Sequence, residues 1–301
     1  MPDQKKAYLY GLATVLLWST VASAFKISLQ YQDHAQLLLF ASSASLLTLG
    51  AILLAQGRLA EIFRCSAVQY RRSLLLGLLN PFAYYLILFK AYALLPAQEA
   101  QPLNYTWALT LVLLSIPLLK QRIGWQEVAA MLVSYSGVWV ISTRGAIFSL
   151  HFSNPLGVAL ALLSTLIWAL YWIFSIRDDR DPVVGLLLNF ACGLPFVLVY
   201  CLLFSELRLP AWPGLLGAGY VGLFEMGITF VLWLRALKLS ENTARVGNLI
   251  FLSPFLSLVF IHFLVGEEIL ASTYAGLVLI VGGLLIRQLR PAAAQKNLKP
   301  G

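Results

Sequence analysis

The chain has 301 residues, 60% of them hydrophobic and 11% charged, with a formal net charge of +8 and a mean hydropathy of +0.81. A soluble domain carries about 25% charged residues and cannot hide this much apolar surface. The composition therefore points to an integral membrane protein and excludes disorder, a nucleic-acid-binding role for the positive charge and, with three cysteines, a disulfide framework.

A bilayer-crossing helix needs about 20 mostly apolar residues. That window predicts ten spans, near Tyr8–Ser28, Ala35–Ala55, Arg72–Leu95, Ala97–Leu119, Trp125–Thr143, Pro155–Ile176, Val183–Phe204, Trp212–Leu237, Glu241–Val265 and Thr273–Arg287. The connections are short, with no room for a soluble domain, and the runs are too long for barrel strands. The first run lacks a signal-peptidase pattern and is read as a span. With the N-terminus in the cytoplasm, 16 of the 21 Lys and Arg residues fall on that side, 4 (Lys26, Lys90, Arg144, Arg208) on the other, and Arg245 within a span. The positive-inside rule then places both termini in the cytoplasm.

The two halves share short matches in the same order. Leu17-Trp18-Ser19 answers Ile167-Trp168-Ala169, Ala100-Gln101-Pro102-Leu103-Asn104 answers Ala244-Arg245-Val246-Gly247-Asn248, and Ser136-Gly137-Val138 answers Gly282-Gly283-Leu284. Five spans per copy force opposite orientations, so the predicted fold is all-α: two inverted-topology five-helix repeats, residues 1–150 and 151–290, with a polar tail at 291–301. Secondary transporters of this design bind substrate near the midplane, between the repeats.

The combination of Leu17-Trp18-Ser19, Ala236-Leu237-Lys238-Leu239, Ser253-Pro254-Phe255, Gly266-Glu267-Glu268 and Gly282-Gly283 resembles the EamA-type drug/metabolite transporter superfamily over residues 7–288. Within it the chain looks most like YddG-type exporters. The first half departs from the pattern, with Arg122-Ile123-Gly124 where the second half has Gly-Glu-Glu. The resemblance implies a secondary transporter that exports amino acids, aromatic or large apolar, or related small metabolites across a bacterial inner membrane by alternating access, with a multidrug or other-metabolite carrier, or a non-transport receptor or scaffold, as the alternative.

Candidate pathway residues follow from depth. Trp125, Trp139, Trp212 and Trp233 fall near span ends, where Trp is ordinary. Trp18, Trp107 and Trp168 fall mid-span, where an indole N–H faces protein or a cavity, with helix–helix packing as the competing role. Asn80, Tyr84, Tyr85, Asn104, Tyr105, Tyr171 and Trp172 are placed to share such a cavity, which suits a flat aromatic solute. Glu225 lies mid-span and can carry a proton, bind an ammonium group or tie two helices together. Arg245, one turn into span nine, either snorkels or holds a carboxylate, with Asn248 beside it. Gln98, Glu99 and Gln101 form an outer mouth or a solvated helix start, and Lys26 and Lys90 are assigned to the interface.

Pro81, Pro102, Pro117, Pro195 and Pro254 are expected to break the backbone ladder, and Ser42, Ser45 and Thr48 to allow close packing. No hydrolase, metalloprotease or P-loop motif is present, and His34, His151 and His262 are scattered, so no catalytic role, metal or cofactor is expected. The expected partners are a small-molecule substrate and the lipid bilayer. A monomer fits, with the oligomeric state left open.

Overall fold

Within hydrocarbon every backbone amide needs a partner from the chain itself, which leaves a helix or a closed barrel. In a computed structural model that describes residues 3–119, 124–148, 152–175, 178–240, 246 and 248–288, every regular element is helical. Helix α1 (Gln4–Ser28) starts at Asp3, whose carboxylate accepts from the Lys6 amide at 3.0 Å. Helix α2 (His34–Ala55) starts with a capping box: the Asp33 side chain accepts from the Gln36 amide at 3.0 Å and the Gln36 side chain from the Asp33 amide at 3.2 Å. The third span joins α3 (Ala67–Gly77), a π-helical turn at Leu78–Ala83 and α4 (Tyr84–Leu94).

There follow α5 (Ala97–Tyr105), α6 (Trp107–Leu119), α7 (Trp125–Ser142), α8 (Pro155–Ser175) and α9 (Pro182–Phe204). Helices α10 (Trp212–Tyr220) and α11 (Thr229–Leu239) are joined by a π-helical stretch at Val221–Ile228. A 3₁₀ turn at Asn248–Leu252 leads into α12 (Ser253–Phe260), a π-helical turn at Ile261–Val265 and finally α13 (Ala271–Gln288).

Six segments are long and apolar enough to cross a membrane: Gln4–Ser28, His34–Ala55, Ala67–Leu94, Pro155–Ser175, Pro182–Phe204 and Trp212–Leu237. Three shorter apolar helices, Val128–Ser142, Leu249–Val265 and Ala271–Ile286, accompany them. The protein is thus a multi-pass, all-helical membrane protein. The expected fourth span is divided at Thr106, whose hydroxyl and amide both turn back to the Leu103 carbonyl, at 2.7 and 3.2 Å. Pro102 lies inside α5, Pro117 inside α6 and Pro195 inside α9, so each removes one N–H from the ladder without ending its helix. Pro254 sits in the first turn of α12, where a missing N–H costs nothing. Pro81 lies in the π-helical turn beside Asn80, whose backbone leaves the helix at φ −144° and ψ 116°.

Large apolar side chains such as Leu9, Leu47, Leu202 and Phe263 are exposed, whereas Thr14, Ser19, Ser23, Ser42 and Ser45 are buried. Apolar surface outside and small polar residues between helices is the arrangement expected where lipid is the solvent. The buried faces allow very close approach. A Cβ at Gly77 would overlap the Asn189 carbonyl and Gly193 of α9, and one at Gly222 would overlap the Ala41 carbonyl and Ser45 of α2. The Ser45 hydroxyl donates to the Met226 carbonyl at 2.9 Å, closing the second of these seams.

The seams come in matching pairs: α1 packs along α11 as α4 packs along α8, and α1 along α12 as α8 along α6. Helices α2 and α9 pack together, and α7 has α13 as its main partner. That last pair shares a small-residue face, with Gly137 against the Gly276 carbonyl and the Ser134 hydroxyl donating to the Ile280 carbonyl at 3.0 Å.

Candidate functional site

Between α1, α4, α5, α8 and α11 lies a cavity of about 320 Å³. Helical spacing explains its walls. Trp18, Val21, Ala22 and Phe25 occupy one face of α1, Tyr84, Leu88 and Tyr92 one face of α4, and Trp168 and Trp172 successive turns of α8. Gln101, Asn104, Tyr105 and Trp107 enter from either side of the Thr106 break, and Glu225, Phe230 and Trp233 from the π-helical stretch and α11. Ile250 completes the lining.

Trp168 stacks against two rings, Tyr84 at 4.5 Å and 26° and Tyr171 at 5.5 Å and 22° between planes. Trp18 meets Phe230 edge to face at 5.8 Å and Trp233 at 5.8 Å. The polar groups are held in turn. The Tyr84 hydroxyl donates to Asn104 Oδ1 at 3.3 Å, and Asn104 Nδ2 donates to the Ser164 hydroxyl at 3.0 Å. The Ser257 hydroxyl donates to Gln101 Oε1, and the Tyr85 hydroxyl to Glu225 Oε1 at 3.1 Å.

Of the residues expected at the site, Trp18, Tyr84, Gln101, Asn104, Tyr105, Trp107, Trp168 and Glu225 line this cavity. Tyr171 lines a neighbouring one instead. Asn80 lines neither; it is buried, with Oδ1 lacking a partner among the described residues. Arg245 lies outside the described residues, as does the side chain of Asn248, whose backbone opens the 3₁₀ turn. Trp233 corrects an expectation: it is a cavity wall, because α11 packs lengthwise on α1 and brings the ring to Trp18. The signal was its i, i+3 spacing from Phe230, which the interfacial rule for Trp masked.

The smaller cavity, about 180 Å³, shares Trp172, Phe230 and Trp233 with the first and extends to the loop between α8 and α9, at the end of the bundle that carries the N-terminus. There Asp178 and Arg180 form a tight pair (2.6 Å), and Arg180 also donates to the Ser73 hydroxyl at 2.8 Å. Burial raises the Asp178 carboxyl, but the Arg180 hydrogen bonds outweigh it and leave it below its ordinary value. Arg58 bridges Glu61 (2.7 Å) and Asp181 (3.1 Å) beside them.

The opposite end is closed. Gln98 Nε2 donates to the Glu268 carbonyl at 2.8 Å, while its Oε1 accepts from the Leu270 amide and the Thr273 hydroxyl at 2.9 and 3.0 Å. Glu99, only 1% exposed, accepts from Arg144 at 2.8 Å and from the Ser153 hydroxyl. These side chains seal the bundle, so neither a mouth nor a solvated helix start describes them. Lys26, in the last turn of α1, is also engaged within the protein: Nζ donates to the Tyr92 and Leu95 carbonyls at 2.9 and 2.8 Å. Glu267 accepts from the Ala97 and Gln98 amides at 2.7 and 3.1 Å.

The EamA-like transporter family matches this chain twice, over residues 5–143 and 155–287. The chain belongs to that family. Among its relatives, the aromatic amino acid exporter YddG of Ancylobacter novellus is 27% identical over 293 residues, covering 95% of this chain and 98% of that protein. An uncharacterized transporter of Archaeoglobus fulgidus is 24% identical (93% and 98% covered), and the uncharacterized transporter YvbV of Bacillus subtilis 25% (95% and 92%). A solved crystal structure aligns over 96% of this chain and 100% of its own with a TM-score of 0.66 at 24% identity, a likeness of fold. In this EamA-like chain the two family matches meet at the loop before α8, so the cavity is walled by helices of both.

Proposed function

We propose that this EamA-like protein is a secondary transporter that exports aromatic or large apolar amino acids, or closely related metabolites, from the bacterial cytoplasm across the inner membrane by alternating access. The observation that carries the reading is the cavity itself: aromatic, placed between the two family repeats, sealed at one end and continued by a second cavity toward the other. A flat side chain gains stacking and edge-to-face contacts there, about 0.5–1.5 kcal/mol per pair. The similarity to a relative named as an aromatic amino acid exporter favours the same substrate class.

In this reading the chain has ten spans in two inverted repeats, residues 1–150 and 151–290, with both termini cytoplasmic. The paired seams support it, since exchanging the halves turns α1 on α11 into α8 on α4 and α1 on α12 into α8 on α6. The loop charge split supports the orientation. The closed end then faces outward, and the conformation is open toward the cytoplasm. The substrate-contacting set is Trp18, Tyr84, Gln101, Asn104, Tyr105, Trp107, Trp168 and Glu225, with Trp172, Phe230 and Trp233 added.

The test is counterflow in proteoliposomes: vesicles preloaded with unlabelled phenylalanine should transiently accumulate labelled phenylalanine. Protein-dependent accumulation that is equal for every solute, or absent for all amino acids, would refute the assignment.

A further inference from the structure

We propose that the cavity recognises its substrate by the ammonium group and an aromatic ring, so that the carboxylate of an amino acid is dispensable and aromatic monoamines are the better ligands. The inference rests on the transporter reading above and narrows its substrate class.

The charge inventory of the lining carries it. Among the described residues that wall the cavity, Glu225 is the single acidic one, and no Lys or Arg accompanies it. Its described hydrogen-bond partner is the Tyr85 hydroxyl, a neutral donor, and no described ion pair includes it. The oxygens of both neutral amides are already engaged. Asn104 donates to Ser164 and accepts from Tyr84, and Gln101 accepts from Ser257. Lys26, the nearest lysine in the α1 sequence, is occupied by the carbonyls of Tyr92 and Leu95.

A carboxylate entering this space meets the acidic Glu225 and no described counter-ion in apolar surroundings, which disfavours it. An ammonium meets the reverse. It pairs with Glu225, and the neighbouring rings of Trp18 and Phe230 attract a cation through their quadrupoles. A zwitterion gains the second contribution and suffers the first. Removing its carboxylate removes the cost and keeps the gain.

The experiment uses the purified full chain and five probes: phenylalanine, phenylalaninamide, phenethylamine, 3-phenylpropionate and alanine. Binding is read by ligand-induced thermal stabilisation and transport by counterflow. Phenethylamine and phenylalaninamide should bind about tenfold or more tightly than phenylalanine, with no binding of 3-phenylpropionate. Glu225→Gln should erase the preference for amines. The wild-type series decides the matter even if that variant fails to fold. Phenylalanine binding as tightly as phenethylamine, or 3-phenylpropionate binding at all, overturns the inference while leaving the transporter reading in place. Failure of every aromatic probe to bind or exchange overturns both.

Discussion

Lys26 and Glu267 finish one helix break from its two sides. The Lys26 ammonium caps the carbonyls of Tyr92 and Leu95 where α4 ends, and the Glu267 carboxylate caps the amides of Ala97 and Gln98 where α5 begins. A helix C-terminus favours a cation and an N-terminus an anion, so each charge meets the dipole end that stabilises it. The two residues lie on α1 and in the turn before α13, which ties three distant stretches of chain to a break only two residues wide.

Removing this cap should loosen the sealed end. Glu267→Ala leaves two buried amides without their carboxylate, at about 1.5–3 kcal/mol for each charged hydrogen bond. A cysteine introduced at the buried position Ala100, in a background otherwise free of cysteine, should then react about tenfold or more faster with an impermeant thiol reagent added from the sealed side. Unchanged reactivity would mean the cap shapes the helix break without holding the end shut.

Trp168 and Trp18 should separate stability from recognition. Trp168 stacks against two of the protein's own rings, so Trp168→Ala should cost about 3–5 kcal/mol of stability. Trp18→Ala should cost less and lower counterflow of phenylalanine more than that of alanine. Trp212→Ala, at a ring 70% exposed, should change neither. Equal losses of both substrates in Trp18→Ala would assign that ring to packing.

The Asp178–Arg180 pair gives a pH signature. The folded-state carboxyl lies below its ordinary value, so its contribution is complete above about pH 4 and disappears as pH falls through the lower folded value. Asp178→Asn strands a guanidinium whose side chain is 4% exposed, and breaking such a pair costs about 3–5 kcal/mol. Thermal unfolding of the two proteins should differ most at neutral pH and converge in acid. A gap independent of pH would show that the amide disturbs the loop by shape alone.

The orientation is open to direct labelling. Cysteines at Ala60 and Ala211, both exposed and at opposite ends of the bundle, should respond oppositely to an impermeant reagent in intact cells. Ala211→Cys should label and Ala60→Cys should not; the reverse pattern inverts the topology and the direction of the open cavity.

Much of this was legible in the sequence, because the bilayer imposes local rules. Hydropathy windows located the long spans, and mid-span depth picked out Trp18, Trp107 and Trp168, all of which reach the cavity. Trp233 was missed because its wall position comes from α11 lying along α1, a pairing no local window contains. Lys26 and Glu267 act across 69 and 170 residues of sequence, so their capping roles have no local signature either. The division at Thr106 depends on one residue's backbone turning back on Leu103, which a hydropathy window does not resolve, although the polar Gln98, Glu99, Gln101 and Asn104 precede it. The match between Leu17-Trp18-Ser19 and Ile167-Trp168-Ala169 carried further, since both tryptophans ended on the same cavity.

The glycine seam between α7 and α13 also sets a problem of timing. Helix α7 leaves the ribosome more than a hundred residues before Ala271, so at 5–20 residues per second it waits about 6–26 s for its partner. During that interval Gly137 and Ser134 present a small-residue groove, cut to fit the Gly276 backbone, without the helix that fills it. Translation stalled before Ala271 therefore yields a chain whose first family match is fully synthesised while its α7 seam still stands open.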